Sequence, residues 1–140
     1  MRKFLFSIIL IVIVATNGLC LAADGDDLNK EQKIAETFMG VFIKEQVPSY
    51  TVVSKDFADI LKANVNEQIY QNLKQTIVDK YGNVKEIKFY EFQRFDQGDK
   101  ITYVAVFDKE RAVAIIFTFD KNKKMTNYIF SPLQIEEVEK

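Results

Sequence analysis

The stretch KITYVAVFDKERAVAIIFTFD, residues 100–120, decides the fold. It reads as two apolar strands joined by a short charged turn. Between Ile101 and Phe119 stand ten large apolar side chains: Ile101, Tyr103, Val104, Val106, Phe107, Val113, Ile115, Ile116, Phe117 and Phe119. A lone hairpin is still marginal in water, because ordering its backbone offsets most of what burial contributes. The hairpin therefore needs partner strands and a covering layer.

The turn sets the register. A two-residue loop at Lys109-Glu110 would need a primed turn, which favours Gly or Asn, and neither stands there. An odd-length loop over residues 108–112 sorts the faces better. It puts Ile101, Tyr103, Ala105 and Phe107 on one face with Val113, Ile115, Phe117 and Phe119. The other face then carries Thr102, Val104 and Val106 with Ala112, Ala114, Ile116 and Thr118. A slip of one residue would mix these sets. The lighter face is itself rather apolar, so Val104, Val106 and Ile116 are candidate interface residues for a second subunit or another partner.

Outward from the hairpin the pattern stays at period two. Residues 84–95, VKEIKFYEFQRF, form an expected first strand. Ile87 and Phe89 share one face and Tyr90 and Phe92 the other, which a bulge near Phe89–Tyr90 would reconcile. Asp96-Gln97-Gly98-Asp99 is a turn signal. After the hairpin, residues 120–124 form a polar turn, and residues 125–130 a fourth strand that Pro132 ends. Lys121, Lys123 and Lys124 cluster at that turn and read as a solvated loop tip.

Upstream the period becomes helical. A first helix is expected from near Asn29, with Ile34, Ala35, Phe38, Val41 and Phe42 on one stripe and an end shortly before Pro48. Tyr50, Val53, Phe57 and Ile60 recur at steps of three and four and predict a short second helix over residues 54–62. A capping box from Asn64 to Glu67 opens a third, carrying Ile69, Tyr70, Leu73, Ile77 and Tyr81, with Gly82 as its left-handed terminator.

The start of the chain reads as an export signal. Arg2 and Lys3 precede an apolar core from Phe4 to Ala15, and Ala22 and Ala23 suit signal-peptidase cleavage. A lipoprotein site at Cys20 has Leu19 where a small residue is expected. A retained anchor would be short for a membrane span. Cleavage leaves an exported chain, periplasmic or extracellular, with no stable membrane anchor. The division is residues 1–22 signal peptide, 23–29 polar leader, 30–133 a single α+β domain and 134–140 a charged tail. The fold class is three N-terminal helices on a curved four-stranded antiparallel sheet.

Composition excludes much chemistry. Histidine is absent, and the only cysteine, Cys20, lies in the expected signal peptide. That removes histidine triads, histidine or thiolate metal sites and cysteine nucleophiles, so no catalytic, metal or cofactor set is assigned. Losing Arg2 and Lys3 moves the net charge from −1 to −3, which gives no footprint for nucleic acid.

The order of elements resembles the nuclear-transport-factor-2-like (cystatin-like or SnoaL-like) superfamily, and most of all its small bacterial secreted domains of unknown function. The stretches that carry the resemblance are AETFMGVF at residues 35–42, VSKDFADIL at 53–61, LKQTIVDKYG at 73–82, and Tyr103 to Phe107. The resemblance implies a cone-like sheet curled around a pocket with helices closing one end. Function does not follow from the fold.

Three functional readings stand. The first is a non-enzymatic domain holding a small apolar molecule or peptide in an aromatic-lined pocket, with Tyr50, Phe57, Tyr70, Tyr90, Phe92, Tyr103, Phe117 and Tyr128 as candidate lining. The second is a homodimeric or envelope-partner module using the lighter sheet face. The third is a pocket enzyme of lyase, isomerase or hydrolase type, using Asp56 and Asp59, which share one side of the expected second helix, or Glu91, with a tyrosine.

Overall fold

The computed structural model describes residues 25–134. The expected export signal, residues 1–22, and most of the expected charged tail, residues 135–140, lie outside the described residues. The described chain is α+β: α1 (Gly25–Ile43), α2 (Tyr50–Ser54), α3 (Asp59–Asn64) and α4 (Glu67–Tyr81) precede β1 (Val84–Phe95), β2 (Gly98–Phe107), β3 (Val113–Asp120) and β4 (Met125–Pro132). The strands form an open antiparallel sheet in the order β1-β2-β3-β4.

The hairpin folds as its pattern demands. Residues 108–112 connect β2 to β3, and Ile101 faces Phe117, Tyr103 faces Ile115 and Ala105 faces Val113. All of these side chains are at most 3% exposed. Because the period is two, this register turns Thr102, Val104, Ala114 and Ile116 to the opposite face. The β1–β2 ladder shifts register between Phe89 and Glu91, so Tyr90 is the extra residue. The bulge rotates Phe92 onto the inner face opposite Ile101, and it leaves Tyr90 half in solvent.

The helical half departs from expectation in three places. Helix α1 begins at Gly25, so residues 25–29 are helical rather than a polar leader. Asp26 and Asp27 lie in its first turn, where acidic groups complement the helix dipole. The expected second helix is two short ones, giving four helices in place of three. Phe57 stands between them in a parallel bridge to Met125; the Ala58 N–H donates to the Met125 carbonyl and the Met125 N–H to the Asp56 carbonyl, both at 2.8 Å. Those bonds to β4 outcompete continuation of the helix. The cap of α4 is Asn66, two residues later than read, with its side chain accepting from the Ile69 N–H at 2.9 Å. Gly82 does end α4, at φ +82°, and a side chain there would press within 2.7 Å of Asp108 Cβ.

The core lies between the helices and the inner sheet face. Ile34, Ala35, Phe38, Val41 and Phe42 of α1 join Phe57, Leu61, Tyr70, Ile77 and the inner residues of β2 and β3.

Candidate functional site

Aromatic rings form the centre of that core. Phe38 is fully buried, with ring centroids 4.6 Å from Tyr128, 5.5 Å from Phe117 and 6.2 Å from Phe57. Tyr50 meets both Phe57 and Tyr70, and Tyr103 meets Phe117. Six of the eight candidate pocket residues are thus packed ring to ring in one network. Two phenols also tie the connecting segments together. The Tyr50 hydroxyl donates to the Val65 carbonyl at 2.7 Å, and the Tyr70 hydroxyl donates to the Pro48 carbonyl. Burial raises the pKa of Tyr70 and Tyr128. Burial also raises that of Tyr103, with the Glu36 charge adding; Gln32 pulls the other way without completing a hydrogen bond. Phe92 is half-buried against the core with Arg94 over its ring, and Tyr90 projects from the bulge.

An open depression of about 500 Å³ lies where α3 meets the start of β4, lined by Ile60, Leu61, Asn64, Val65, Thr126, Asn127 and Tyr128. Tyr128 is the one member of the aromatic set on its wall. The candidate carboxylates do not converge there. Asp59 opens α3 and is exposed, while Asp56 precedes it outside any helix, so the two do not share a helix side. Glu91 pairs with Thr102 on the outer face.

The outer face is the less covered one. Val104, Val106 and Ile116 are half-buried there, and Ile129, opposite Ile116, is 45% exposed. Glu86 and Lys88 share this face, 3.1 Å apart, with Glu91 and Lys100 further along it.

A third feature escaped the sequence reading. Glu31 of α1 is fully buried, and neither carboxyl oxygen has a hydrogen-bond partner as a carboxylate. Beside it Asp99, also buried, accepts from Arg94 Nε at 3.1 Å and Nη2 at 3.2 Å, and from Lys123 Nζ at 3.0 Å. Arg94 Nη2 also donates to Asp27 at 3.1 Å, and Lys123 Nζ lies 3.4 Å from Asp27 and 3.7 Å from Glu31. Lys123 is therefore no solvated loop tip. Its φ of +61° turns the chain so that its side chain, 18% exposed, brings the ammonium to Asp99. Asp120 holds that turn, accepting from the Asn122 and Lys124 N–H groups.

Burial dominates the acidity of Glu31. Loss of hydration, reinforced by the hydrogen bond and negative charge of Asp99, lifts its pKa from 4.5 to about 8, against the pull of Lys123 and Arg94. Burial opposes the charge on Asp99 as well, but hydrogen bonds from Arg94, Lys123 and Glu31 outweigh it and hold that pKa below the ordinary value. Lys123 is held above its ordinary value, because Asp99, Glu31 and Asp27 outweigh its own desolvation. Glu31 could have been found by extending the α1 stripe backward, since it precedes Ile34 by three and Ala35 by four.

Among the described residues no cluster of three or more His, Cys, Asp or Glu side chains could hold a metal ion, and no helix is long and apolar enough to cross a membrane. No family model matches the chain, and no curated protein matches it.

Proposed function

We infer that this chain is an exported, non-enzymatic interaction module whose outer sheet face receives a second copy of itself. The observation that carries this reading is the contrast between the faces. The inner residues of β2 and β3 are at most 3% exposed, while Val104, Val106 and Ile116 opposite them are half-buried and Ile129 is 45% exposed. A two-fold axis sets a patch against itself, so self-association favours a patch carrying both signs of charge. Glu86, Glu91, Lys88 and Lys100 supply such a mixture around the apolar centre. The nuclear-transport-factor-2-like resemblance implies a cone-like curl of the sheet around a pocket and does not by itself assign a function.

Sedimentation equilibrium tests it. The protein is expected to dimerise at micromolar concentration. Val104→Glu should weaken the dimer at least about tenfold, or about 1.4 kcal/mol, while leaving the circular dichroism spectrum in place. A monomer at 100 μM, or a variant that dimerises as well as the parent, would remove the proposal.

The depression beside Tyr128 favours a second reading, capture of a small apolar molecule or peptide. Its volume lies within the range of small-molecule sites. Replacing Ile60, on the same wall and 63% exposed, by Lys should then abolish binding of a hydrophobic fluorescent probe while the outer-face variant still binds it. Equal probe binding by both variants and the parent would count against this site.

A further inference from the structure

Helix α1, the β1–β2 hairpin and the β3–β4 turn meet at one end of the sheet. The charged groups facing Glu31 there are Asp27 from its own helix, Arg94 from β1, Asp99 from β2 and Lys123 from the turn. Fully ionised, three carboxylates confront two cations. Lys123 and Arg94 both already bond Asp99. In this geometry an ionised Glu31 accepts no hydrogen bond, its nearest cation stands 3.7 Å away at Lys123 Nζ, and it has no exposed surface through which water could reach it. A proton on Glu31 makes the cluster neutral and turns its carboxyl into a donor for Asp99.

We propose that the proton on Glu31 is a latch holding the N-terminal half of α1 against the end of the sheet, and that its loss releases this segment. The latch confines the response to one part of the molecule. Further along the same helix, Phe38 and Phe42 are fixed in the aromatic core, Phe38 against Phe117 and Phe42 against Phe107 and Phe130. Opening would expose Glu31 to water, where an ionised carboxylate regains its hydration, so the open form gains on the closed one as pH rises. The raised acidity constant of Glu31 places that gain at mildly alkaline pH. The first turn of α1 adds to it, because Asp27 shares Arg94 and Lys123 with Asp99. Release therefore breaks the contacts of Asp27 with both cations, which keep their bonds to Asp99. The segment that moves is the first part of α1, residues 25–35, so alkaline conditions would free the start of that helix without dissolving the domain.

Amide hydrogen exchange followed by mass spectrometry tests the latch, with rates corrected for the intrinsic pH dependence of exchange. At pH 6 peptides over residues 25–35 should be protected. At pH 9.5 their protection should fall at least about tenfold below that of peptides over residues 67–81 of α4. Glu31→Gln keeps a donor for Asp99 and cannot ionise, so it should hold the segment closed at both values. A smaller difference between the two segments in the parent at pH 9.5, or the same loss in the variant, overturns the proposal. If the variant does not fold, carbon-13 titration of the Glu31 carboxyl in the parent decides. A midpoint at or above 6 supports the latch, and one below 6 overturns it.

Discussion

Phe38→Ala should lower the free energy of unfolding by about 3–5 kcal/mol, the range for truncating a buried aromatic side chain. Phe38 is fully buried and is the point where α1, the segment between α2 and α3, β3 and β4 touch through their rings. Removing it takes away the transfer term, leaves a cavity, and breaks three ring contacts, each worth about 0.5–1.5 kcal/mol beyond the buried area. A domain of this size has about 5–15 kcal/mol in total, so the variant should lie close to its unfolding threshold at room temperature. Urea denaturation monitored by circular dichroism measures the loss. Phe38→Leu should recover part of it. A cost under about 1.5 kcal/mol would show that the rings are not what holds the helices to the sheet.

Glu31→Gln should have the opposite sign, and its effect should depend on pH. The folded pKa of Glu31, about 8, exceeds the unfolded value of 4.5, so the folded state binds more protons between them. Stability therefore falls as pH rises through this window, by at most about 1.4 kcal/mol per unit, and levels off above pH 8. The amide does not ionise, so the variant should lack this limb and gain on the parent most at pH 8–9. Two other groups shape the outer limits. Asp99, held below its ordinary pKa of 3.8, contributes stability above that value that is lost as pH falls through its folded pKa. Lys123, held above 10.5, contributes stability that persists below 10.5 and is lost as pH rises through its folded pKa. Chemical denaturation at pH 5, 7 and 9 for parent and variant checks the sign. Parallel curves for the two proteins would show that Glu31 ionises freely in the folded state.

The sheet was legible because its signals are local. Alternation in residues 100–120 specifies both faces, the absence of Gly or Asn at Lys109-Glu110 specifies an odd loop, and the clash of Phe89 with Tyr90 specifies a bulge. The break at Phe57 was not legible. The spacing of Tyr50, Val53, Phe57 and Ile60 is helical, and what overrides it is backbone pairing with Met125, distant in sequence. The charge cluster was hidden for the same reason. Asp27, Glu31, Arg94, Asp99 and Lys123 are scattered along the sequence, and only the packing of α1 across the two turns joins them. Six of the aromatic candidates share one network, but spacing cannot distinguish rings that line a cavity from rings that fill it.

The pairing of Phe57 with Met125 also bears on the solubility of the folded chain. An open sheet has two edges, and an unpaired edge is a template for strands of other molecules. Residues 56–58 already occupy the hydrogen-bonding groups where β4 begins. The opposite edge, β1, carries two irregularities and the charges of Lys85, Glu86 and Lys88, which spoil a flat approach. The segment that interrupts the helix thus closes the first rung of one margin of the sheet to strand addition, and the bulged, charged strand disfavours it along the other.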